Sequence, residues 1–169
     1  MDKDLNNEEK QRLPPGQHEI ERFPVLQKGK IAHINREKYI LKISGEVNNP
    51  KTYSLEELES MQNRDAVVDI HCVTSWSKFN TKWEGISFNY LFERIDPKPS
   101  ANFVEFECAD GSFTTTVPIK QLKEKNCLLA LKYNGEPISD EHGGPVRALI
   151  PHLYFYKSAK WVLKINLLK

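Results

Sequence analysis

Strand-like runs of five to seven residues recur along this 169-residue chain, and no helical stretch is longer than the one from Ser87 to about Ile95. Tyr39-Ile40-Leu41-Lys42-Ile43 reads as a strand ending at Ser44-Gly45, and Ala66–Cys72 as a buried strand. Phe103–Cys108 alternates, meets the turn signal Asp110-Gly111, and is answered by a Thr-rich return over Phe113–Val117, a hairpin. Cys127–Tyr133 gives another strand turned at Asn134-Gly135. In the last strand, Trp161, Leu163, Ile165 and Leu167 should share one face, opposite Val162, Lys164 and Asn166. Ser54 caps a short helix through about Met61 with Glu57 reaching back, Pro97 and Pro99 stop the helix from Ser87, and Ile119–Lys125 forms a third. Short helices among many strands, with no βαβ rhythm and no internal repeat, predict a single mixed-sheet α+β domain.

Length and composition suit one hydrophobic core. The hydrophobic fraction is 39% and the charged fraction 28%, the proportions of an ordinary globular domain. A formal net charge of +1 excludes a general nucleic-acid binder, which carries a marked basic excess, and a highly charged disordered chain. No window approaches the roughly 20 apolar residues of a membrane span. Residues 1–22 are polar, with Asn6-Asn7 and Pro14-Pro15-Gly16, and read as an extended arm ordered by lying on a domain over residues 23–169. The start has neither a basic-then-apolar leader nor an Arg-Arg pair, and three scattered cysteines make no disulfide framework. Both point to a reducing, cytoplasmic location.

Common phosphate, dinucleotide and zinc signatures are absent. Cys72 follows an apolar strand and opens Val73-Thr74-Ser75-Trp76-Ser77, rich in hydroxyls. By residue type it reads as a small packed hydrophobe. By position, a strand end is where a side chain leaves the core to meet a ligand. His71 should point to the opposite face, and Cys108 and Cys127, inside strand runs, read as core. From His142 to Lys169 there are five Lys or Arg and no Asp or Glu. There, Gly143-Gly144 would let a backbone approach a ligand, while Arg147, Ser158 and Lys160 offer a fork, a hydroxyl and a point charge to a phosphate. The plain alternative is a turn with solvated cations.

Four words in order carry a resemblance: His71-Cys72-Val73-Thr74-Ser75-Trp76-Ser77, Lys82-Trp83-Glu84-Gly85-Ile86, His142-Gly143-Gly144-Pro145-Val146-Arg147 and Tyr156-Lys157-Ser158-Ala159-Lys160-Trp161-Val162. Together they resemble the molybdopterin-binding oxidoreductase domain of the sulfite oxidase family over roughly residues 23–169. The small prokaryotic members and the catalytic subunit of the periplasmic methionine-sulfoxide reductase are similar. The resemblance implies a molybdenum–molybdopterin cofactor and oxygen-atom transfer. Cys72 would be the thiolate ligand to molybdenum, His142 and Arg147 contacts to the pterin and its phosphate, and Ser158 and Lys160 the phosphate-binding Ser-x-Lys. His33 or Asn35 would fill a pterin contact from the loop before the first strand. Trp76 would wall the pocket and Trp83 would pack as core.

Departures from the family pattern set further expectations. Sulfite-oxidising members place an arginine soon after the ligand cysteine; here Lys78 is the first cation. This chain has no room for the family's haem domain or dimerisation domain, which implies a separate electron-transfer protein or reductant and a monomer. Two other classes compete: a pterin-binding or partner-binding module without turnover, and a thiol enzyme with Cys72 as nucleophile and His142 as base.

Overall fold

The computed structural model describes residues 6–27, 29–111 and 114–169. Two sheets pack around a shared interior. The first contains β1 (His18–Glu19), β4 (Arg64–His71), β5 (Trp76–Ser87), β8 (Leu128–Tyr133), β9 (Glu136–Pro137) and β10 (Arg147–Leu149). The second runs in the order β3 (Lys51–Ser54), β2 (Ile40–Gly45), β11 (Val162–Leu168), β6 (Phe103–Cys108) and β7 (Thr114–Pro118). The helices are α1 (Asn7–Arg12), α2 (Leu55–Ser60), α3 (Phe88–Ile95) and α4 (Ile119–Leu122). This is the mixed α+β architecture that the short alternating runs predict.

The inner face of the second sheet supplies Leu41, Ile43, Val104, Phe106, Ile165 and Leu167, all buried. Helix α3 lays Phe88, Leu91, Phe92 and Ile95 on them, the spacing of one helical face. Its N-cap is Ser87, whose side chain accepts from Tyr90 N, and it ends at Asp96 in the left-handed conformation, just before Pro97. Ser54 and Glu57 form the reciprocal capping box that opens α2. A second apolar cluster, with Ile70, Cys72, Trp76 and Trp83, lies between the β4–β5 ribbon and the chain around Phe23 and Phe155. The arm lies on this ribbon, though it is not wholly extended: Asn6 caps the six-residue α1 before β1 pairs with β5.

Several elements depart from the sequence reading. Strand β5, the longest, is hidden in sequence because a register shift against β4, with Asn80 at a left-handed φ of 53°, reverses its facing midway, and because its buried positions include Ser77, Thr81 and Gly85 beside Phe79 and Trp83. Polar and small residues on an inward face erase the alternation that marks a half-buried strand. Helix α4 stops at Leu122, since Lys123-Glu124-Lys125-Asn126 offers no apolar face to bury. In β11 a register shift between Val162 and Lys164 places Val162 inside and leaves Leu163 38% exposed. A bulge adds one residue and reverses the facing of what precedes it. Phe113, assigned to the return strand, lies outside the described residues.

Candidate functional site

Strands β4 and β5 form an antiparallel hairpin, and Cys72 opens its loop. Cys72 N donates to Trp76 O at 2.9 Å and Ser75 N to Cys72 O at 3.1 Å, with Ser75 at a left-handed φ of 71°. Alternation along β4 turns His71 away, so that its Nδ1 lies 2.7 Å from Ser77 Oγ. The Cys72 side chain is buried, and Thr74 Oγ1 donates to its sulfur at 3.2 Å. Such a donor is the polar contact a thiolate accepts.

Cys72 and Thr74 share one cavity of about 340 Å³ with His142, Arg147, Ser158 and Lys160. Trp76 and Cys108 also line it. Five of the seven residues marked in the sequence are therefore brought together from the β4–β5 loop, β10 and the two turns that flank β10. His33 and Asn35 are placed elsewhere. His33 is exposed, its Nδ1 2.8 Å from Asp140 Oδ2, and Asn35 Oδ1 caps a short turn by accepting from Glu37 N and Lys38 N. The N-terminal contribution to the cavity comes from Pro24, Leu26 and Gln27 instead.

Arg147 decides the electrostatics. It is 2% exposed, donates from Nη1 to His142 O at 2.8 Å and from Nη2 to Ser158 O at 2.7 Å, and lies 4.3 Å from the centre of the Phe155 ring. Among the described residues no carboxylate forms an ion pair with it, and its Nε is buried without a partner. Burial pulls its proton affinity down to about 9. Among the described residues Lys160 donates to carbonyls, Glu141 O at 2.8 Å and Leu26 O at 3.0 Å; burial, and then the Arg147 charge, pull it down to about 8. Burial, and then the Lys160 and Arg147 charges, lower the proton affinity of His142. Ser158 Oγ accepts from Ile150 N at 2.9 Å, leaving its proton to donate.

A buried cation held only by carbonyl oxygens is costly unless an anion joins it. A soft sulfur sharing the cavity with one buried and one half-buried cation fits a group that binds a metal through sulfur and carries a phosphate. The Arg147 Nε and the buried Trp76 Nε1, neither with a hydrogen-bond partner among the described residues, are donors such a group would engage.

Four residues behave otherwise than their sequence context implies. Gly143 N and Gly144 N are spent on Asp140 O and Ser139 O, so neither amide is available to a ligand. Those glycines exist for packing: a Cβ on Gly143 would stand 2.6 Å from Lys160 Cβ, and one on Gly144 1.9 Å from Ile138 O. Cys108 is core, as expected, yet also borders the cavity. Its thiol is pushed up to about 12 by burial and then by Asp110. Asp110, read as a turn residue, lines the same space. No local signal marks either one, because the end of the β6–β7 hairpin is brought there by Ala109 N donating to Trp161 O. Trp83 packs beneath, its Nε1 donating to Thr81 Oγ1.

Comparison with known proteins agrees with this chemistry. Residues 28–169 match the family described as oxidoreductase molybdopterin binding domain. An uncharacterized oxidoreductase of Bacillus subtilis, YuiH, is 36% identical over 159 residues, 94% of this chain and 80% of that one. The protein-methionine-sulfoxide reductase catalytic subunit MsrP of Burkholderia mallei is 27% identical over 139 residues, 73% of this chain and 42% of its own length. This chain thus spans most of the first relative and less than half of the second. The fold is that of the sulfane dehydrogenase SoxCD from Paracoccus pantotrophus, with a TM-score of 0.73 and 21% identity over 81% of this chain and 40% of that one. The chain belongs to the oxidoreductase molybdopterin-binding domain family, the sulfite-oxidase-like enzymes whose cofactor is molybdenum–molybdopterin.

Proposed function

We propose that this chain catalyses two-electron oxygen-atom transfer on a small or protein-borne sulfur or other oxo substrate, with Cys72 as the protein's ligand to molybdenum. One observation carries the reading: the Cys72 sulfur, with Thr74 donating to it, shares a cavity with a buried guanidinium that has no carboxylate partner among the described residues. When bound, the cofactor supplies oxygen-atom transfer coupled to a two-electron change at the metal. Cys72 presents a soft sulfur that must be deprotonated to bind. Arg147, Lys160 and Ser158 hold the phosphate, and His142 offers a hydrogen-bonding edge to the pterin.

Among the described residues the cations lining the cavity are Arg147 and Lys160, both assigned here to the phosphate. Lys78 does not line the cavity, and its Nζ donates to Glu21 O at 2.6 Å. Next to Cys72 stands Val73, 57% exposed. An uncharged sulfur substrate is favoured over an oxyanion, and the name of the Burkholderia relative, a reductase of protein methionine sulfoxide, agrees. That relative is also named a subunit, which supports a separate electron-transfer partner here.

The test is to produce the full chain in a host that makes molybdopterin, then measure metal, pterin and turnover of sulfoxides and sulfite. Wild-type protein should carry molybdenum, and Cys72→Ser should lose activity and change the metal spectrum. A Cys72→Ser protein with full activity and an unchanged metal spectrum would overturn the assignment. Loaded protein that turns over no oxo substrate would support the non-catalytic pterin-binding module.

A further inference from the structure

The matched family domain begins at residue 28, yet the arm before it is joined to the loop that carries Cys72. Strand β1 pairs in parallel with β5, His18 opposite Trp76 and Glu19 opposite Ser77. His18 N donates to Ser75 O at 2.9 Å and Ile20 N to Ser77 O at 2.8 Å. Upstream, Arg12 grips Asp69 through Nε and Nη2 and reaches Asn80 Oδ1. Downstream, Leu26 lines the cavity and its carbonyl accepts from Lys160.

Between these anchors lies Gln17. Its Nε2 donates to Cys72 O at 3.0 Å, and its Oε1 accepts from Ser77 Oγ at 3.0 Å. A carbonyl can only accept, which fixes the amide orientation. The single Ser77 proton is then committed to Gln17, so the bond to His71 requires a proton on His71 Nδ1. Donors run in one direction from His71 through Ser77 and Gln17 to the Cys72 carbonyl. That carbonyl also accepts from Ser75 N, and Cys72 N is committed to Trp76 O. Every backbone polar group of Cys72 is held, one of them by a side chain from outside the family domain.

We propose that Gln17 is a positioning residue for Cys72, fixing the loop carbonyl so that the sulfur is presented to the metal in one orientation. The inference rests on the reading of Cys72 as the molybdenum ligand. It assigns the arm a role in setting the metal centre, as a clasp joining the sulfur-bearing loop to the Lys160 end of the cavity.

Full-length Gln17→Ala and Gln17→Glu are the test, with His18→Ala as a control that changes an exposed neighbour and leaves Gln17 in place. Glu keeps an acceptor for Ser77 but has no donor for the Cys72 carbonyl. In cofactor-free protein, mass spectrometry would follow alkylation of Cys72 by iodoacetamide. In loaded protein, electron paramagnetic resonance of the one-electron-reduced metal would report on the sulfur's orientation. Both Gln17 variants should alkylate about tenfold faster, the factor one lost hydrogen bond allows, and should shift or broaden the resonance; His18→Ala should match wild type. Gln17→Glu decides the matter should Gln17→Ala unfold. Wild-type alkylation and resonance in Gln17→Glu, with the resonance changed in Cys72→Ser, would overturn the role of Gln17 and leave the ligand intact. An unchanged resonance in Cys72→Ser would overturn both.

Discussion

Lys160 gives the most direct access to the electrostatics of the cavity. Its ammonium is held by two carbonyls near Arg147, and its proton affinity falls from 10.5 to about 8. At ~1.4 kcal/mol per tenfold, that fall corresponds to ~3 kcal/mol against the protonated form. Water still reaches part of the side chain, and screening reduces the expected effect to ~1–2 kcal/mol. Between about pH 8 and 10.5 the unfolded chain holds the Lys160 proton while the folded chain releases it. Stability therefore rises with pH through that window, and below about pH 8 the folded state carries the full penalty. Urea unfolding of cofactor-free protein, with reductant, at pH 7.5 and 10 would measure it for wild type and Lys160→Met. The buried thiols of Cys108 and Cys127, pushed up to about 12, titrate with the opposite sign, but they are common to both proteins and cancel in the comparison. Wild type should gain ~1–2 kcal/mol on Lys160→Met between the two pH values. In loaded protein the gain should vanish, because an anion beside the ammonium restores its proton affinity. Equal pH dependence in the two cofactor-free proteins would refute a penalised cation at this position.

Four further outcomes follow from local geometry and burial. Gly144→Ala should cost at least ~3 kcal/mol in urea unfolding, because its Cβ would enter the Ile138 carbonyl at 1.9 Å. Gly16→Ala, whose Cβ meets nothing but whose φ is +77°, should cost only ~1–2 kcal/mol. Ser54→Ala removes half of a reciprocal capping box and should lower stability by ~1 kcal/mol, with the α2 amides exchanging faster in hydrogen exchange. At pH 8, native cofactor-free protein should leave Cys108 and Cys127 unalkylated, since burial raises both thiols to about 12; equal labelling of the three cysteines would contradict that burial.

Much of the fold is legible because its signals are local. The alternation of Phe103–Cys108, the face of α3 and the Ser54–Glu57 cap depend on neighbours within a few positions, and each appears where those neighbours predict it. Strand β5 is not legible, since its facing reverses at Asn80 and its buried positions include Ser77, Thr81 and Gly85 as well as Phe79 and Trp83. What makes those small and polar residues inward-facing is the partner strand, with Thr81 Oγ1 satisfied by Val68 O. The bulge in β11 is likewise a property of its pairing with β6. At the site, Cys72, His142, Arg147, Ser158 and Lys160 stand in distinctive words and were readable, while Cys108 and Asp110 reach the cavity only through the packing of a hairpin end.

Residue order alone sets the chemical inventory: one cysteine at a strand end, an acid-free basic segment from His142 to Lys169, and hydroxyls placed among them. A net charge of +1 says nothing about where a charge is dry. Packing of distant segments buries Arg147 with two carbonyls and a ring, sets Lys160 near it, and brings Gln17 from the arm to the carbonyl of Cys72. Burial and long-range hydrogen bonding are properties of what surrounds a residue. For these side chains the surroundings come from segments far away in the chain: 55 positions separate Gln17 from Cys72 and 134 separate Leu26 from Lys160.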